Sequence, residues 1–202
     1  MKEHYYDKLL NIKTRDEQQG FHKSLHNHRY EPTPYSGLEE LFRHFQLNSN
    51  DRVVDFGCGK GRLNFYIHYF FHATVIGIEM SEELLERALA NQTSYLKKTK
   101  NRADKLHFLN CLAQDYPINP QDNCFYFFNP FSVQVFQKVM NNILVSVEQY
   151  PRDISLILYY PSEDYIYHLE SYTAFDCEKE IQVPYMYQHN PNERFLIYRL
   201  KS

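Results

Sequence analysis

The stretch "VVDFGCGKG", residues 53–61, decides how the chain is read. An apolar run ends in Asp55 and gives way to glycines at alternate positions, Gly57, Gly59 and Gly61. A short apolar run bounded by turn residues reads as a buried strand. Glycine directly after such a strand permits positive φ and lets another molecule approach the backbone closely. A helix opening there offers N–H groups that attract an anion. Asp55 narrows the choice of ligand. A carboxylate this near would repel a pyrophosphate, and the spacing G-x-G-x-G differs from the G-x-G-x-x-G of dinucleotide sites. The turn suits a nucleoside that carries both an anionic group and positive charge.

The flanking sequence places this turn in a repeating pattern. Arg52 to Phe56 reads as a strand, Gly61 to His72 as a helix, and Ala73 to Glu79, with β-branched Val75, Ile76 and Ile78, as a second strand. Glu79 follows the turn by about 20 residues, where a strand-ending carboxylate can accept from both hydroxyls of a ribose. Ser81 caps a helix running to Leu96. Further strands are expected at Leu106–Cys111, Cys124–Asn129 and Ile154–Tyr160, with a helix from Phe131 to Val147. Strands separated by helices imply a parallel sheet with right-handed crossovers. The tail differs: Phe175–Tyr187 and Arg194–Leu200 flank the turn-like "QHNPNE" and predict an antiparallel hairpin.

Upstream, residues 1–34 read as a polar extension or lid on a domain spanning 35–202. The segment "YEPTPY", residues 30–35, is extended because of its two prolines, and Ser36 is placed to cap a helix from Gly37 to Phe45.

Composition bounds the function. The chain has 202 residues, 43% of them apolar, which suits a soluble globular fold with a sizeable core. The N-terminus lacks an apolar signal core, and no apolar run reaches the length of a membrane span, so a cytoplasmic protein without a membrane partner is expected. The four cysteines are far apart and form no C-x-x-C pair, which fits a reducing compartment. With 22 basic and 25 acidic residues, no global charge points to nucleic acid. One basic run, Lys97, Lys98, Lys100, Arg102 and Lys105, reads as a solvated helix end. His22, His26 and His28 lack the further ligands of a convincing metal set, so no metal is expected.

S-adenosyl-L-methionine carries the ribose, carboxylate, ammonium and sulfonium that the turn and Glu79 ask for. With Asp55-Phe56-Gly57-Cys58-Gly59-Lys60-Gly61, Ile78-Glu79 and the terminal hairpin, the chain resembles the class I S-adenosylmethionine-dependent methyltransferases over residues 36–200. The resemblance implies a Rossmann-like doubly wound α/β sheet, mostly parallel, with strand order 3-2-1-4-5-7-6 and a C-terminal antiparallel hairpin. It implies cofactor contacts from Asp55, Gly57, Cys58, Gly59, Gly61, Glu79, Met80 and Leu112. Relatives often carry Asp after the third strand; here "FLNCLAQDYP" has Leu112 and Ala113, with Asp115 later, so adenine would be held by apolar and backbone contacts.

"FFNPF", residues 127–131, resembles the Asn-Pro-Pro-aromatic motif of methyltransferases acting on amino nitrogens, with one proline missing. It implies that Asn129 accepts from a substrate N–H, that Pro130 fixes the loop, and that Phe131 stacks on or walls in the acceptor. "YEPTPY" and "GKGRL" resemble sequences in some non-SET protein lysine methyltransferases, which implies cofactor contacts from Thr33 and Tyr35 and a lid or acceptor surface formed by residues 1–30. The expected acceptor is a protein lysine or another amine. Methylation of RNA, with the basic run on phosphates, methylation of a small molecule, and a non-catalytic cofactor-binding module are the alternatives.

Overall fold

The computed structural model describes residues 2–15, 30–99 and 103–201. Among them, six helices and seven strands alternate. The helices are α1 (Lys2–Leu10), α2 (Tyr35–His44), α3 (Arg62–Phe71), α4 (Glu82–Thr99), α5 (Val133–Gln149) and α6 (Glu163–Tyr172). The strands are β1 (Arg52–Phe56), β2 (Thr74–Glu79), β3 (Leu106–Asn110), β4 (Cys124–Phe127), β5 (Ile154–Tyr159), β6 (Asp176–Gln182) and β7 (Arg194–Leu200). They form one sheet in the order β3-β2-β1-β4-β5-β7-β6. The first five strands are parallel to their neighbours, and β7 pairs antiparallel with both β5 and β6. This is the expected doubly wound α/β architecture. No helix among the described residues is long and apolar enough to cross a membrane.

Successive side chains on a strand point to opposite faces, so strand parity assigns each residue to a layer. Val53, Val75, Cys124, Tyr126, Ile157 and Tyr159 face one cluster, together with residues of α1, α2 and α3. Val54, Phe56, Ile76, Ile78, Phe125, Phe127, Leu156 and Leu158 face the other, under α5 and α6. Both faces are covered, which is why β4 and β5 read as unbroken apolar runs rather than alternating ones. Asp55 shares the parity of Val53, and Glu79 that of Val75. Both therefore lie on the layer that carries α3 and the N-terminal segments.

Three helices depart from the sequence expectation, one of them α6, which lies where no helix was expected. Helix α2 begins at Tyr35, with Pro34 rather than Ser36 at its N-cap position. Helix α1 lies where a polar extension was expected, and Leu10 and Ile12, which follow its polar first turns, are buried in the core. A buried polar knot ties this region down. Asp7 accepts from the Tyr35 hydroxyl at 2.7 Å and from the Thr14 hydroxyl and amide at 2.8 and 3.3 Å. Arg62, only 4% exposed, pairs with Glu3 and donates to the Thr14 hydroxyl at 2.8 Å and the Thr33 carbonyl at 3.2 Å. Its guanidinium stands 4.5 Å from the Tyr35 ring centre. Arg62 also occupies the first position of α3, directly after the glycine turn.

Removing one member of a buried polar set leaves the others desolvated and unpaired. Asp7→Ala is therefore expected to cost about 2–4 kcal/mol of stability, measured by urea denaturation. A loss below about 0.5 kcal/mol, the range of ordinary surface changes, would mean that the knot does not hold the N-terminal region.

Candidate active site

The glycine turn is fastened to the end of β2. The amides of Gly57 and Cys58 both donate to the Ile78 carbonyl, at 2.9 and 3.0 Å. The Glu79 carboxylate then reaches back across the gap between strands. One oxygen accepts from the Gly59 amide at 2.9 Å and the other from the Ser81 amide at 2.8 Å. The Gly61 amide donates to the Cys58 carbonyl at 2.9 Å. Four amides of the turn are thus already engaged, so an anion meets the first turn of α3, whose amides have no intrahelical acceptor. All three glycines adopt positive φ, between 55° and 83°. All three are also sterically required. A Cβ at Gly57 would come within 2.7 Å of Pro130, one at Gly59 would collide with the Tyr30 ring, and one at Gly61 would lie within 2.7 Å of the Phe108 ring.

Asp55 is 4% exposed and has no hydrogen-bond partner among the described residues. Burial, reinforced by the charge of nearby Glu79, pushes its carboxyl up to about 8. Burial raises Glu79 as well, while the backbone amides it accepts from oppose that shift. Two buried acids, neither of them in a salt bridge among the described residues, make a site that favours a positively charged ligand. Cys58 is buried, and its sulfur packs over Gly77 on β2, so it contributes its backbone to the turn.

The N-terminal strap, residues 30–35, lies across the same layer. The Thr33 hydroxyl shares a 2.7 Å hydrogen bond with the Tyr126 hydroxyl, and Tyr126 is the register partner of Asp55 on β4. Tyr35 is placed differently from the expectation of a cofactor contact. It is fully buried in the Asp7–Arg62 knot and stacks on Tyr6 at 4.7 Å. Tyr30, which the sequence reading passed over, holds the position nearest the turn. Its ring lies against Gly59, its hydroxyl donates to the Thr14 carbonyl at 3.0 Å, and the Lys60 ammonium stands 5.0 Å from its ring centre. The only signal for it was its place as first residue of "YEPTPY". Residues 16–29, which hold His22, His26, His28 and part of the expected lid, lie outside the described residues.

Two apolar side chains are exposed beyond β2 and β3: Met80 at 47% and Leu112 at 42%. Asn110 holds that corner by donating to the carbonyls of Glu79 and Met80, at 3.0 and 3.2 Å. Asp115 sits further on, exposed in a single turn of 3₁₀ helix.

Past β4, Asn129 is half-buried with φ of 39°, a left-handed conformation that asparagine tolerates. Pro130 packs on Gly57 and so brings Asn129 beside the turn. Phe131 does not match its expected role as a wall for the acceptor. Its ring is buried with Phe127 in the opposite layer, and its carbonyl accepts from the Tyr165 hydroxyl. Phe128 instead packs against the layer that holds Asp55 and Tyr126.

A family model described as "Methyltransferase domain" matches residues 47–148, which include β1, the glycine turn, Glu79 and the Asn129 segment. The chain belongs to this methyltransferase family. No curated protein matches it by sequence. Solved structures share the fold at low identity. An RNA methyltransferase from Salinibacter ruber, in complex with S-adenosyl-L-homocysteine, is 16% identical with a TM-score of 0.56, over 84% of this chain and 92% of that one. A candidate RNA methyltransferase from Pyrococcus horikoshii is 14% identical with a TM-score of 0.61, over 100% and 99% of the two chains. A phosphoethanolamine N-methyltransferase from Haemonchus contortus is 13% identical with a TM-score of 0.62, over 83% of this chain and 42% of that one.

The methyltransferase uses S-adenosyl-L-methionine, and its residues fit that cofactor. The two Glu79 oxygens each accept one backbone amide and keep a lone pair for a hydroxyl. Asp55 is a buried carboxylate without a hydrogen-bonded partner among the described residues, beside a turn that cannot carry side chains. Among those residues, no group of three or more histidines, cysteines or carboxylates is placed to hold a metal ion.

The Asp55 carboxyl is expected to titrate near 8 in the ligand-free methyltransferase, followed by carbon NMR of labelled aspartate. Glu79→Gln removes a neighbouring negative charge and should lower that midpoint. A cation brought beside Asp55 also favours its charged form, so binding of a cationic ligand releases a proton and tightens as pH rises towards 8. A midpoint in the ordinary carboxylate range would show that Asp55 is solvated.

Proposed function

We propose that this methyltransferase transfers a methyl group from S-adenosyl-L-methionine to an amino nitrogen. The observation that carries the reading is the contact of Pro130 with Gly57, which sets the Asn129 segment against the cofactor turn. In this reading Glu79 holds the ribose hydroxyls and Asp55 faces the cationic end of the cofactor. The backbones of Gly57, Cys58, Gly59 and Gly61 form the floor. Met80 and Leu112, exposed and apolar at adjacent strand ends, enclose the adenine, while Thr33 and Tyr30 of the strap cover the turn. Tyr35 acts through the knot beneath.

The bound cofactor supplies an electrophilic methyl carbon on a sulfonium. The protein's part is alignment. The Asn129 side-chain oxygen accepts from an acceptor N–H, which aims the nitrogen lone pair at the methyl group. Pro130 fixes that residue relative to the turn. The strap limits water at the donor, the service a lid performs in many enzymes.

The RNA reading draws on at least three of the structural neighbours. It loses support from the basic run. The Lys98 ammonium donates to the Lys8 carbonyl at 2.6 Å, and that of Lys105 to the carbonyls of Ser49 and His72 at 2.7 and 2.9 Å. These cations fasten the chain to itself; Lys100 and Arg102 lie outside the described residues.

Asn129→Ala should leave cofactor affinity unchanged and cut methyl transfer by roughly 10²-fold, the scale of a misplaced reacting group. The readouts are calorimetry and transfer of labelled methyl into lysate separated into protein, RNA and small molecules. Equal transfer by both proteins would count against the assigned role, and label in the RNA fraction alone would overturn the amine reading. Glu79→Ala should weaken cofactor binding by about 1.5–3 kcal/mol, the value of hydrogen bonds to a charged group. Unchanged affinity would remove Glu79 from the ribose.

A further inference from the structure

Three chain segments meet beside Asn129. Phe128 follows β4, Tyr159 ends β5 and Tyr160 follows it, and Glu193 and Asn190 precede β7. Phe128 is the centre of a tilted set of rings: its centroid is 4.6 Å from Tyr159 at 58° and 6.3 Å from Tyr160 at 53°. Tyr159 is backed by Phe195, stacked at 4.5 Å, and is itself buried. Phe128 and Tyr160 are half-buried and so present part of their rings outward.

A carboxylate flanks these rings at the Tyr159 hydroxyl. The Tyr159 hydroxyl donates to Glu193 and fixes that side chain at the ring edge. Burial, and then this contact with Glu193, hold the Tyr159 phenol well above its ordinary range. Among the described residues no lysine or arginine pairs with Glu193. The Asn190 amide donates to the Tyr160 hydroxyl at 2.8 Å, which anchors the second ring. Tyr160 itself has a left-handed φ of 51°, as Asn129 does at the end of the adjacent strand, and these unusual conformations turn both residues out of the sheet.

Tilted aromatic faces attract a cation, and a carboxylate without a cationic partner beside them adds to that attraction. We propose that Phe128, Tyr160 and Glu193 form a subsite that receives the acceptor as an ammonium and so selects a charged amine over neutral molecules of the same shape; the ammonium gives one proton to solvent before its nitrogen lone pair attacks the methyl carbon. The inference rests on the amino-nitrogen reading, and it names Phe128, rather than Phe131, as the aromatic residue of this segment that meets the acceptor. The cation lies next to Asn129 because Phe128 and Asn129 are consecutive. Charge selection and nitrogen alignment therefore share one turn of chain.

The test compares binding of two probes to the full chain in the presence of S-adenosyl-L-homocysteine. Nα-acetyl-lysinamide carries an ammonium; Nα-acetyl-norleucinamide has the same reach without it. Binding is followed by probe NMR line broadening or by the fluorescence of the chain's tyrosines, which no tryptophan masks. The wild type should prefer the lysine probe by about tenfold or more, the scale of a cation–π contact joined to a charged pair. Glu193→Gln and Tyr160→Leu should each bring the two probes to nearly equal affinity while leaving S-adenosyl-L-homocysteine binding as it was. Equal affinities in the wild type, no binding of either probe, or a lysine preference that survives both Glu193→Gln and Tyr160→Leu would each overturn the proposal. Labelled-methyl transfer separates this failure from that of the reading beneath it. Label on amines without a charge preference leaves the amine reading standing, whereas label confined to RNA removes both.

Discussion

The site depends on one carboxylate that spans a gap between strands. Glu79 ends β2, yet its oxygens hold the amide of Gly59 in the turn after β1 and that of Ser81 at the start of α4. Parallel strands need no such tie, since their own ladder ends one residue earlier at the Phe56–Ile78 pair. The carboxylate carries the connection past the last rung, where the glycines have no side chains to pack. Because it is buried, each bond is stronger than it would be in water, and its loss is correspondingly costly. The shape of the turn, the direction of α3 and the position of Asp55 follow from it.

The N-terminal region completes this arrangement. Helix α1 and the strap are joined to the first residue of α3 through Arg62, and to α2 through Asp7 and Tyr35. The glycine turn is thus gripped from two directions, by Glu79 on the sheet side and by the Arg62 knot on the outer side. Tyr30 and Thr33 owe their positions to that second grip. A segment that looks dispensable by composition sets the boundary of the crevice.

Much of the fold was legible because its signals are local. Strand runs, a glycine turn and a strand-ending acid occur at fixed offsets, and the hairpin follows from β-formers around "QHNPNE". Helices α1 and α6 were not legible. The apolar content of α1 comes mainly at its end, and its burial depends on a polar knot assembled from residues 3, 7, 14, 33, 35 and 62. Helix α6 follows Pro161 and is rich in tyrosine, which favours strands as readily as helices; the Ser162 hydroxyl accepting from the Tyr165 amide at 3.3 Å starts it. In the site, Tyr35 and Tyr30 are alike in the sequence, and only three-dimensional pairing separates the buried one from the one on Gly59. The choice between Phe131 and Phe128 turns on parity. Tyr126 pairs with Asp55, and the alternation that puts Tyr126 on the strap's layer carries Phe128 there as well.

The packing of Pro130 on Gly57 makes the two halves of the crevice mechanically one. Pro130 is a single peptide bond from Asn129, and a rigid ring transmits displacement with little loss. Position 57 is accordingly closed to side chains twice over, by its left-handed φ of 80° and by the Pro130 ring that fills the space a Cβ would take.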